Sequence, residues 1–412
     1  MLRASPETIR LVLALLLATV VLLTGRPAPV AIGATPPLQD DAVDDLSIVV
    51  LEDGTDPVAA AAALGVTPVE VYRDVFSGFA AELTPGAASS ARASHFVRKV
   101  APDGRVRAAT EKTPTGVERV GTPLDDRGAK RPIDADVAVL DSGVAKHPDL
   151  NVVGGTACNG QDPFEDRYGH GTPVAGVIAA IDNSRDVVGV APGARIWSVK
   201  VLDATGSGRW SEVLCGLDWV YRNRQTIDVV NMSLAASGTN GRCSSSPVHK
   251  AVCRVVKARI PVVVSAGNQG TDAAGVIPAA WDEVITVSAF ADSDGKPRGE
   301  PRPRDPTTCD GSSDDAWWGD SNYGRDVDIA APGSCVLTLT PRGGLLNESG
   351  TSFSAPHVAG AVARYKAERP HASARQVRDW LLSEKASRPQ SDPEGFTGDP
   401  DNRPEPVLWL GD

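Results

Sequence analysis

Histidine is scarce in this chain. Six occur among 412 residues, so each can be weighed on its own. Positive charge is in deficit: 41 Lys and Arg face 52 Asp and Glu, a net charge of -11. That balance argues against a nucleic-acid partner, which would call for a basic surface. No C-x-x-C pair occurs, which argues against a zinc site, and no metal ligand is assigned. After the N-terminal segment no long apolar run follows, so nothing further along is read as membrane-embedded. What remains is an ordinary globular composition, 42% hydrophobic and 23% charged. Its length suffices for more than one domain and a sizeable core.

The N-terminus does carry an apolar run. Leu11–Leu23 is apolar apart from Thr19, follows Arg3 and Arg10, and precedes small residues up to Ala34. It is shorter than the ~20 residues of a spanning helix and has the make-up of an export signal. Residues 1–34 are therefore expected to be a signal peptide and the protein to be secreted. An uncleaved N-terminal membrane anchor is the alternative. In an exported chain an even number of cysteines favours disulfides, with 15 possible pairings. The pairing expected is in chain order: Cys158 with Cys215, Cys243 with Cys253, Cys309 with Cys335. The middle pair closes the shortest loop.

Along the chain, 35–45 reads as a Pro- and Asp-rich linker. Residues 46–107 form a small α+β unit: strands in LSIVVLEDG and EVYRDVFSGFAAEL, an Ala-rich helix between them and a short helix after. Residues 108–135 are polar and Pro/Gly-rich, an exposed and cleavable connection. From Asp136 to about 387, Val/Ile-rich strands alternate with helices. That alternation predicts an α/β fold, about seven parallel strands sandwiched between helices. The insertion Asp292–Asp320 is acidic enough for a structural calcium ion but shows no ordered ligand spacing, and it reads as a solvated loop. Residues 388–412 read as an extended tail.

In such sheets, ligands sit at the carboxyl ends of the strands. Asp141 ends the strand VAVL there. His170 opens a helix between two glycines. Ser352 lies in GTSFSAPHVAG, where Pro356 suits only the first turn of a helix and so places the helix start near Ser352. A serine there has backbone donors and the positive end of the helix beside it. His357 is not its partner. Five helical residues turn about 500° and rise about 7.5 Å, which points His357 away. His357 reads as a packed core residue. A nucleophilic serine needs a base and an orienting acid, and His170 and Asp141 are the candidates.

The segments VAVLDSG, HGTPVAG and GTSFSAPHVAG resemble the three signature segments of subtilisin-like serine proteases, in the same Asp, His, Ser order. The resemblance runs from about Pro114 to about Pro370. It implies a serine endopeptidase in which Ser352 attacks the peptide carbonyl, His170 carries the proton and Asp141 orients His170. It also implies that Asn268, in VVVSAGNQG, supplies an oxyanion-hole donor beside the Ser352 N–H. Gly206–Ser207–Gly208 and Ser233–Leu234–Ala235 match the two edge segments that pair with an extended substrate. Ala235 stands where the family usually has glycine. The run around Pro278 would line the pocket for the residue before the cut.

Phe353 stands where many members have an oxidisable methionine, and it cannot form a sulfoxide. Residues 46–107 resemble the family's propeptide, which implies a zymogen cut between Arg105 and Thr115 and inhibited by its own propeptide. Polypeptides are the implied substrates, the implied state is a monomer, and the chemistry requires no cofactor. Other readings are an esterase, a peptide ligase using the same triad, and a binding protein with a dead site. The absence of G-x-S-x-G speaks against the first, and the presence of all four catalytic residues against the last.

Overall fold

The computed structural model describes residues 46–102, 111–124, 131–297, 310–391 and 395–411. The expected signal peptide, the linker, most of the expected cleavage window and Cys309 lie outside them. The chain divides into two compact units, residues 1–107 and 108–412.

In the first unit, strands β1 (Leu46–Leu51), β2 (Glu70–Tyr72), β3 (Gly78–Glu82) and β4 (Val97–Pro102) form an antiparallel sheet in the order β2-β3-β1-β4. Helices α1 (Pro57–Ala63) and α2 (Pro85–Ala93) accompany it. Both begin at a proline behind a side-chain cap. Asp56 accepts from the Ala59 N–H and Thr84 from the Ala87 N–H. Val49, Leu51, Phe79 and Leu83 form the small core, with alanines filling the helix side.

The second unit is built on a ten-stranded sheet. A short helix, α3 (Thr115–Arg119), comes first. The strands are then β5 (Asp136–Asp141), β6 (Val152–Ala157), β7 (Arg195–Lys200), β8 (Val229–Met232), β9 (Ala236–Ser237), β10 (Val262–Ser265), β11 (Val276–Ile277), β12 (Ile285–Ala291), β13 (Ala316–Trp317), β14 (Ile329–Ser334), β15 (Val336–Leu339), β16 (Leu345–Glu348), β17 (Ser387–Arg388) and β18 (Val407–Leu408). The main path runs β17-β18-β14-β12-β10-β8-β5-β7-β6, with β13 added to β12. Strands β6 to β14 along this path are parallel to their neighbours. β9 pairs with β11, and β15 with β16, outside it.

The central strands are buried along their whole length, which is why they read as continuous apolar runs rather than alternating ones. Successive residues of β5 divide between two cores. Val137 and Val139 face the layer of α4 (Gly171–Ala179) and α7 (Thr351–Glu368), and Ala138 and Leu140 face the layer of α5 (Trp210–Arg222) and α6 (Pro247–Lys257). α8 (Ala374–Leu381) starts in a capping box of Ser373 and Gln376.

The tail is more than an extended segment. β18 pairs parallel with β14 and antiparallel with β17, and the Leu410 N–H donates to the Val120 carbonyl. Arg119, fully buried, donates to Asp315 and to the Gly395 carbonyl. The Cys158–Cys215 and Cys243–Cys253 disulfides are present. Among the described residues no helix is long and apolar enough to cross a membrane.

Candidate active site

Asp141 is the last residue of β5 and is fully buried. One of its carboxylate oxygens is 2.8 Å from His170 Nδ1 and also accepts the Ser142 N–H at 2.7 Å. His170 sits at the start of α4. That helix end is held by Asp166, which accepts from the Gly169 and Thr172 N–H groups and from the Ser142 hydroxyl. Gly171 must be glycine, because a Cβ there would lie 2.2 Å from the Gly143 carbonyl oxygen and 3.1 Å from Asp141 Cβ. This close approach brings β5 and α4 near enough for the carboxylate to reach the ring.

Burial works against a charged His170 ring. Asp141 outweighs that cost, with Asp166 and Glu348 adding to it, and the pKa stands above the ordinary histidine value. Tyr168 and Phe353 flank the ring, with centroids 6.2 and 5.4 Å away.

Ser352 is the second residue of α7. Gly350 before it has φ 147°, a conformation that favours glycine. Asn268 accepts through Oδ1 from the Thr351 N–H at 3.0 Å and the Thr351 hydroxyl at 2.7 Å. With Oδ1 held, the amide nitrogen is the end of Asn268 free to donate. Asn322 braces this loop: its Oδ1 accepts from the Gln269 and Thr271 N–H groups, and its Nδ2 donates to the Ala266 carbonyl.

The helix start agrees with the sequence expectation, but the place of Pro356 in it does not. α7 begins at Thr351, so Pro356 is inside the helix rather than in its first turn. Proline has no N–H for the Ser352 carbonyl four residues earlier. The Ser233 hydroxyl donates to that carbonyl instead, at 2.8 Å, and itself accepts from Asn231 at 3.0 Å. The Ser233 side chain is thus spent on the Ser352 backbone. His357 is fully buried, with Nδ1 2.8 Å from the Phe353 carbonyl, and burial pushes its pKa down to about 4.

His170, Asn268 and Ser352 line one cavity of about 590 Å³. Gly206, Ser207, Gly208, Ser233, Leu234 and Ala235 line it too. Pro278 is not among its lining residues; it follows β11, which pairs with β9 just beyond Ala235. Glu348, from the end of β16, lines the cavity as well. Burial pushes its carboxyl pKa up, and His170 pulls it back. Sequence reading missed Glu348, Asp166, Thr351 and Asn322. Thr351, beside the serine, was the one within reach.

The chemistry this cavity supports is acyl transfer, with a carboxylate-oriented imidazole, a serine at a helix start and an amide donor on one wall. The model of the Subtilase family matches residues 134–399. Subtilisin NAT from Bacillus subtilis subsp. natto is 34% identical over 311 residues, 74% of each chain. Subtilisin from Bacillus pumilus is 34% identical over 280 residues, 66% of this chain and 91% of its own. The crystal structure of a cold adapted subtilisin-like serine proteinase superposes with a TM-score of 0.56 at 29% identity, covering 72% of this chain and 97% of that one.

Proposed function

The chain belongs to the subtilase family and is a serine endopeptidase, and from that premise we propose that it is a secreted, self-processing enzyme working through Asp141, His170, Ser352 and Asn268. The observation that carries the proposal is the 2.8 Å contact between Asp141 and His170 at the edge of the cavity that Ser352 and Asn268 also line.

Catalysis follows from the arrangement. His170 Nδ1–H donates to Asp141, which leaves Nε2 as the basic nitrogen. Nε2 takes the Ser352 proton as the hydroxyl attacks the peptide carbonyl, and then gives it to the leaving amine. Asp141 holds the tautomer and stabilises the imidazolium. The Asn268 amide and the Ser352 N–H donate to the oxygen that becomes negative. Gly206–Gly208 and Ser233–Ala235 offer backbone edges to an extended polypeptide on either side. No step needs a cofactor.

Residues 46–102 form a sheet-and-helix unit of their own, which suits a propeptide that assists folding and inhibits the monomeric enzyme until it is cut before Thr115. The test is intact mass of the purified chain before and after a fluorophosphonate probe, beside Ser352→Ala. The wild type is expected to lose its N-terminal region and gain one probe, and the variant to do neither. A wild type that stays unlabelled after its N-terminal unit has been removed by another protease would overturn the catalytic assignment.

A further inference from the structure

The insertion after β12 carries a cluster of acids that does not line the cavity and is unused by the chemistry above. Asp292 and Asp294 leave β12, and Asp314 arrives just before β13. One carboxylate oxygen from each lies within 4.8 Å of the other two. Asp292 and Asp294 are buried and Asp314 is half-buried.

We propose that Asp292, Asp294 and Asp314 bind a hard divalent cation, calcium in preference to magnesium, which clips the two ends of the insertion together.

Asp292 carries the argument. Its side chain is 1% exposed, and Oδ2 is buried with no hydrogen-bond partner. A buried, unpaired carboxylate oxygen is among the most costly groups a fold can hold. The nearby cation does not resolve this. Arg119 approaches the other oxygen, Oδ1, no closer than 3.9 Å, and it donates to Asp315 at 3.0 Å. Burial pushes the Asp292 carboxyl up to about 7, with Asp314 and Asp315 adding to the effect and Thr115 and Arg119 opposing it.

The other carboxylates are held ready. Each of the three has one oxygen engaged by a nearby backbone N–H: Asp292 by Gly295, Asp294 by Lys296, and Asp314 by Ser293. That pins the group and leaves its second oxygen for a ligand. A donor set made only of oxygens selects calcium or magnesium over zinc or copper. Carboxylates from two separate loop segments suit the flexible shell of calcium better than the strict octahedron of magnesium. The sequence hid this set because its third member is 20 residues from the second and its spacing resembles no contiguous loop.

A cation here would reach the active site through the backbone. Asp314 leads into β13, which pairs with β12. Trp318 N–H then donates to Ala289, Ser321 to Trp318, and Asn322 braces the loop that carries Asn268.

The experiment uses full-length Ser352→Ala, which cannot digest itself, stripped with a chelator. Calcium binding is measured by equilibrium dialysis and thermal unfolding by calorimetry, with calcium or magnesium added. The expected result is saturable calcium binding and a midpoint that climbs by several degrees as calcium rises, with a smaller effect of magnesium. Asp292→Asn and Asp314→Asn, each near in shape to the original, should each lose that binding and that climb. Glu405→Gln, which alters a different buried acid with two unpaired oxygens, should keep both. Absence of calcium binding in the parent would overturn the proposal, and so would loss in Glu405→Gln alone. If the Asn variants unfold in the stripped state, dialysis of Asp294→Asn decides: retained affinity overturns the site.

Discussion

Two histidines lie close to the same helix and live in opposite worlds. His170, at the mouth of the cavity, has a carboxylate 2.8 Å away and a pKa held above the ordinary value. His357, within α7, is fully buried against a backbone carbonyl and is pushed down to about 4. Burial opposes charge on both rings. What differs is the partner: a carboxylate repays the cost of burial, and a carbonyl does not. The first ring can accept a proton at neutral pH; the second is a neutral packing group with one hydrogen bond.

The widest break of this comparison is mutational. His170→Ala should cost about 10⁶ in kcat, a magnitude measured on subtilisin, a relative of this chain, while the melting temperature stays close to the parent's. His357→Ala should do the reverse. It should cost about 2–4 kcal/mol in stability, by analogy with other buried side chains, and leave turnover per folded molecule intact at low temperature. Calorimetry beside active-site titration reads both. Equal losses of turnover in the two variants would erase the distinction.

Next comes Asn268, the proposed oxyanion donor. Asn268→Ala should lower kcat by about 10²–10³, again a subtilisin magnitude, with little change in KM. A smaller loss, about tenfold in kcat, is expected for Ser233→Ala. It leaves the Ser352 carbonyl without its donor inside the helix that carries Ser352.

The pH behaviour sharpens the contrast further. Asp141, Asp166 and Glu348 are the charged groups that face His170, and all three raise its pKa. The acid limb of kcat/KM should therefore move to lower pH in Glu348→Gln, and a limb that stays put would remove Glu348 from the site. For His357 the sign is opposite. Its folded pKa lies below the unfolded value of 6.5, so the unfolded chain binds more protons. Stability from this group is full above about pH 6.5 and is lost as pH falls toward 4, by about 3 kcal/mol in all. The smallest effect is a null one. Phe353 follows the proposed nucleophile and packs edge-on against His170, so mild peroxide should leave activity unchanged; rapid loss without unfolding would contradict that placement.

The three signature segments were legible because each is local. A buried strand that ends in Asp, a helix that opens with His between glycines, and a small-residue helix start around Ser352 all carry their setting with them. The fold followed from the same apolar runs. What stayed hidden depends on distant partners. Glu348 reaches the cavity because a hairpin folds back, and Asp166 matters only once α4 is placed above it. Asn322 braces a loop about 50 residues earlier. Pro356 misled for a related reason: a proline is tolerated in the second turn here because Ser233, 119 residues earlier, supplies the donor that the helix lacks. The tail read as merely extended because β18 is two residues long and gains its identity only from pairing with β14 and β17.

Arg119 reaches a carbonyl 276 residues away, at Gly395. A unit whose first helix, α3, is tied to the segment between its last two strands must bring together parts far apart in sequence before that bond can form, and contacts of such sequence separation slow folding. Native interactions that are absent at the barrier also slow escape from the folded state. For an enzyme that lives among copies of itself, working lifetime is then set by how rarely a molecule opens rather than by how deep its energy well lies.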